Sequence, residues 1–120
     1  MTIVSQAIQN GPRTYAYGLT AIGPASAGKP TTQAQAAPVP ALVSVWTNIP
    51  PGGACVLPTN VYVTEYIILN RGANTLIVLP GPSWSIETNA VNTGVSILRG
   101  GWATFLSGDP QSGPAIWYAR

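Results

Sequence analysis

The chain has 120 residues, room for one domain with an appended segment; a domain of this size buries roughly two thirds of its unfolded surface, enough for a core without staples. Charged residues make up 7 % of it, the formal net charge is +2, and histidine is absent, which excludes a Ser-His or Cys-His relay within one chain, a transition-metal ligand set around the single Cys55 and a basic stripe for phosphates. A free protein keeps a surface of roughly 25–35 % charged residues, so a composition this neutral fits either an ordinary neutral β-domain or a subunit that stays in an assembly.

From the N-terminus, Met1 to Pro12 has no basic region ahead of its short, interrupted apolar stretch, so no secretory signal is expected. No apolar run of about 18 residues follows anywhere, and no membrane partner is expected. Thr2 to Ile8 and Arg13 to Thr20 read as short strands, with Tyr15 and Tyr17 on one side by the alternation of a strand. Between Gly23 and Pro40 large apolar side chains are almost absent, and Pro30, Pro38 and Pro40 favour extended backbone that looks outward for partners. Residues 1–40 are therefore expected to form an extended Pro/Gly/Ala-rich arm whose removal leaves 41–120 folded. Inside it, Gly23-Pro-Ala-Ser-Ala-Gly28-Lys29 matches a phosphate-binding loop up to its last position. Pro30 then supplies neither the hydroxyl nor the N–H such a loop needs, and nucleotide binding is not expected.

Beyond Val39 the pattern becomes short β-branched and aromatic runs separated by turn residues at intervals of roughly 8–12 residues, the spacing of a sandwich or barrel. Strands are expected at 41–47, 54–57, 61–69, 75–79, 83–87, 94–98, 102–107 and 115–119. Val61 to Leu69 is apolar on both faces and should be central. Pro51-Gly52 suits the central positions of a type II turn. Asn70 to Asn74 and Arg99-Gly100-Gly101 read as hairpin connections, with Gly72 and Gly100 at positive φ. The expected fold is all-β: an antiparallel β-sandwich or jelly-roll-like domain over 41–120 behind the 1–40 arm.

Catalytic chemistry finds no support. The carboxylates are Glu65, Glu87 and Asp109; Asp109 sits in a Gly-Asp-Pro turn where Asp bonds local backbone, and Glu65 is expected to pair with Arg71 or Arg99. Neither a cofactor nor a small-molecule substrate is implied. The aromatics remain, since Trp and Tyr are enriched at interfaces and also fill cores. Phe105 and Trp117 are assigned to the core, and Tyr15, Tyr17, Trp46, Trp84 and Trp102 to an interface.

The run Tyr66-Ile-Ile-Leu-Asn-Arg-Gly-Ala-Asn-Thr-Leu-Ile-Val-Leu-Pro80, then Asn92 to Phe105 with its Gly100-Gly101 turn, then Ile116-Trp-Tyr118, resembles small head decoration, or cement, proteins of tailed bacteriophages. The resemblance covers about half the chain. It implies a structural virion protein, made in the host cytoplasm, that binds the major capsid protein on the outer capsid surface, commonly as a homotrimer. No catalytic residues are implied. The alternative is a receptor- or glycan-binding module of a phage tail or fibre, in which exposed tryptophans would do the recognition.

Overall fold

The computed structural model describes residues 14–59, 63–108 and 115–120; the expected strand over Thr2 to Ile8, Asp109, and the Val61-Tyr62 start of the third expected strand lie outside them. The described chain is all-β, with no helix. The described residues form ten strands: β1 (Tyr15–Thr20), β2 (Ala37–Pro38), β3 (Val43–Asn48), β4 (Ala54–Val56), β5 (Glu65–Asn70), β6 (Leu76–Leu79), β7 (Ser85–Ile86), β8 (Val95–Ile97), β9 (Trp102–Ser107) and β10 (Ile116–Ala119). They make a large sheet of order β1-β3-β5-β9-β10-β7 and a small one of order β2-β4-β6-β8.

The winding departs from the expected antiparallel sandwich. From β1 to β9 the chain passes alternately from one sheet to the other. Consequently β1, β3 and β5 lie side by side and parallel in the large sheet, and β2, β4 and β6 do the same in the small one. Tyr15, Val43 and Ile67 thereby become neighbours. Parallel strands need a long crossover, and here each crossover is a strand of the opposite sheet. The result is a short β-helical coil of three turns. β8 and β9 then run back antiparallel to β6 and β5, and β10 follows antiparallel to β9.

Residues 14–40 do not project as an arm. They lay down the first turn of the coil, and Ala21, Ala36 and Val39 are buried. A two-residue strand containing Pro38 fits at β2 because β2 is the edge of its sheet, where a missing N–H breaks no ladder. The sequence that resembles a phosphate loop folds as a turn, with the Lys29 N–H donating to Ser26 O at 3.2 Å.

Two expected hairpins are corners between sheets instead. Asn70 leaves the large sheet and Leu76 enters the small one, turned by the buried Asn70 side chain. Its Nδ2 donates to Asn74 O at 2.9 Å and Ile97 O at 2.8 Å, and its Oδ1 accepts from the Gly72 N–H at 2.9 Å. Gly72 is not at positive φ; it is needed because a Cβ would stand 2.9 Å from the Ile49 side chain. Gly100 does lie at φ 80°, in a turn that carries the chain from β8 back to the large sheet. The Pro51-Gly52 turn forms as expected, with Gly52 at φ 73° and the Gly53 N–H donating to Pro50 O at 2.8 Å.

One core lies between the sheets. It takes Trp46, Ile68, Phe105 and Trp117 from the large sheet and Cys55, Leu76, Val78 and Ile97 from the small one. Trp117 packs edge-on against Tyr66 and tilted against Trp84, with ring centroids 5.7 and 5.5 Å apart. The Trp46 Nε1–H donates to Ser44 Oγ at 2.9 Å, whereas the buried Trp117 Nε1 has no partner among the described residues. Burial pushes the Cys55 thiol far above its ordinary pKa, so it is inert at neutral pH. A second, smaller cluster sits on the other face of the small sheet. There Ala54, Val56, Ile77 and Leu79 pack with Ala36, which belongs to the segment that leads into β2.

Candidate functional site

Strand alternation divides each strand of the large sheet into an inner and an outer set. Ser44 and Trp46, Tyr66 and Ile68, Ala103 and Phe105, and Trp117 and Ala119 face the core. Their neighbours in sequence face outward. Registration then sets Tyr17, Val45, Leu69 and Trp102 in one cross-strand row. A second row holds Tyr15, Val43, Ile67 and Thr104, and a third Glu65, Leu106 and Tyr118. A bulge at Gly18 ends the Tyr15–Tyr17 alternation and turns Leu19 inward beside Trp46.

This outer face is apolar and open. Tyr15, Tyr17, Trp102 and Tyr118 are 63, 68, 63 and 44 % exposed. Aromatic side chains carry roughly 150–250 Å² each, so these four leave on the order of 500 Å² of aromatic surface on one side of the molecule. The half-buried Val43, Ile67, Leu69, Leu106 and Ile116 extend it toward the roughly 800 Å² that one partner buries in a standard protein interface. Val45, flanked by Tyr17 and Leu69, is already 5 % exposed. Among the described residues, the face's charged groups stand at its margins: Glu65 begins β5, and Arg120 follows β10 beside Thr104. Glu65 does not reach Arg71 or Arg99, because both lie beyond the opposite end of β5, roughly 20 Å away at 3.3 Å per residue.

Of the five aromatics assigned to an interface, the fold brings Tyr15, Tyr17 and Trp102 together on this face. Trp46 and Trp84 are corrected to core residues, 1 and 5 % exposed. Trp46 turns inward by its parity in β3, and Trp84 is drawn against Trp117 just ahead of β7. Phe105 and Trp117 are fully buried, as expected. Tyr118, Leu106 and Leu69 were missed, although the alternation within Trp102–Ser107 and Ile116–Ala119 was enough to place Leu106 with Trp102 and Tyr118 opposite Trp117.

Among the described residues no three His, Cys, Asp or Glu side chains gather as a metal site. Comparison with known proteins finds no match to a family model, to a curated protein or to a solved structure.

Proposed function

We propose that the protein is a structural subunit of a bacteriophage particle, a decoration or cement protein that attaches to the outer capsid surface through the exposed face of its large sheet. The observation that carries this reading is that face itself: four exposed aromatics over an aliphatic floor, with the charge of the described residues at the margins. Contiguous apolar surface beyond a few hundred Å² marks interaction sites, and burying it supplies affinity without partner-specific ion pairs. The low charge of the whole chain and the likeness of 66–118 to cement proteins support the same reading. Attachment as a homotrimer on the major capsid protein would multiply a modest contact by avidity.

A receptor-binding role for these aromatics is less well supported, since Tyr17 and Trp102 are separated by Val45 and Leu69 rather than by amides or hydroxyls that could hold a sugar. The test is attachment. Recombinant protein is mixed with particles that lack it, and co-sedimentation is compared for the native chain and for Trp102→Asp and Tyr17→Asp. Co-sedimentation of the native chain, lost in both variants, is the expected result. Equal binding by all three, or none by the native chain, would reject the reading.

A further inference from the structure

The opposite side of the molecule carries a different kind of surface. On the outer face of the small sheet a cleft of about 470 Å³ opens between the 30–33 segment and β8, lined by Thr31, Thr32, Gln33, Asn92, Gly94 and Ser96 over a floor of Ile77 and Leu79. This volume falls within the roughly 300–1,000 Å³ of small-ligand sites.

Its rim is held in place from several directions. Thr31 Oγ1 donates to Gly52 O at 3.0 Å, tying the segment to the Pro51-Gly52 turn. Asn92 sits in the left-handed region at φ 68°, which Asn tolerates better than most residues, and its N–H donates to Trp84 O at 2.9 Å. The Asn92 Oδ1 accepts from the Ser83 N–H at 2.8 Å and from Gln33 Nε2 at 2.9 Å. One amide thus joins the two sides of the cleft, while the Asn92 Nδ2 has no partner among the described residues. Gly94 lies flat on the floor: a Cβ there would stand 2.9 Å from Leu79 Cδ2 and from Val78 O.

We propose that this cleft binds a short neutral saccharide. The lining offers amides and hydroxyls that both donate and accept, as sugar hydroxyls do, and the half-buried Ile77 offers an apolar floor for the C–H face of a sugar ring. Among the described residues no charged side chain lines it, so phosphorylated, sialylated or nucleotide ligands would lose their hydration without a counter-charge from these residues. An extended peptide would add by backbone pairing to the edge of β8, the last strand of the small sheet among the described residues, whereas the cleft opens onto the face of the sheet. The site is independent of the capsid reading, because it lies across the core from the face proposed to attach.

The experiment is an amide chemical-shift titration of the full chain with N-acetylglucosamine, chitobiose, galactose and maltose at millimolar concentration. At least one sugar is expected to shift amides within 31–33, 77–79 and 92–96 and to leave those around Tyr17 and Trp102 unmoved. Ser96→Trp, which fills the cleft, should abolish the response. Gln33→Ala should weaken it several-fold with an unchanged far-ultraviolet spectrum, and it decides the matter if the tryptophan variant does not fold. The proposal is overturned if none of the four sugars shifts these amides, if the shifts appear at Trp102 instead, if Gln33→Ala binds as the native chain does, or if a neutral tripeptide such as Ala-Asn-Ala binds where the sugars do not.

Discussion

Both sheets are apolar on their outer as well as their inner faces, and the chain treats the two outer faces differently. On the small sheet it lays its own segment ahead of β2 over Ala54 and Leu79, which are 0 and 7 % exposed. On the large sheet no described residue covers Tyr17 or Trp102, at 68 and 63 %. A chain that shields one apolar face with its own backbone and leaves the other bare separates folding from assembly. The covered part of the first face contributes to stability, and the second is available to a protein partner.

The largest expected effect comes from removing the cover. Deletion of residues 1–40 takes away β1, β2 and the buried Ala21, Ala36 and Val39, and so exposes the outer face of the small sheet together with part of the core. The remaining 41–120 is expected to lose its cooperative urea transition. Retention of a native-like transition would restore the view of this stretch as a separable arm and end the contrast between the faces.

Next in size is Trp46→Ala, in the core between the sheets, which should cost about 3–5 kcal/mol in chemical denaturation. Leu79→Ala tests the covered outer face directly. If that face is a true second core, the loss should be about 2–5 kcal/mol; a loss near zero would make the two outer faces equivalent.

A pH experiment probes the inner side of the small sheet. Burial raises the Cys55 pKa in the folded state, so its contribution to stability is fully present below the unfolded thiol value of about 8.5. Above that value the unfolded chain releases the proton and the folded chain keeps it, so stability falls as pH rises. The loss should reach about 1–2 kcal/mol by pH 10, and Cys55→Ala should remove this slope. An identical slope in the variant would assign it to other groups.

The smallest effect on folding is expected at the bare face. Trp102→Ser and Tyr17→Ser should each change stability by no more than about 0.5 kcal/mol, as exposed substitutions do. The same variants should be the ones that fail to attach to particles, and a stability loss as large as that of Trp46→Ala would mean that the face is already covered in the isolated chain.

Local chemistry determined much of this molecule. Strand positions such as Trp102–Ser107 were legible because alternation and flanking turn residues act within a few residues of one another, and the Pro51-Gly52 turn follows from the φ preferences of those two residues. Burial of Phe105 and Trp117 follows from the same alternation. Which strands become neighbours was decided only in three dimensions. Asn70 to Asn74 has the composition of a hairpin, and an isolated five-residue turn there could return the chain within one sheet. The tertiary structure chose a corner because the Asn70 side chain finds its acceptor on Ile97, 27 residues further on, and because Gly72 must pass against Ile49. The same long-range pairing drew Tyr15–Thr20 and Ala37–Pro38 into the sheets: a Pro-rich stretch with little apolar content builds no core of its own, yet it can cover one built by the rest of the chain. Tryptophan placement divides in the same way. All four are equally apolar in the sequence, and only strand parity and the packing of Trp84 on Trp117 put two of the five expected interface aromatics inside while leaving Tyr15, Tyr17 and Trp102 together on the outer face.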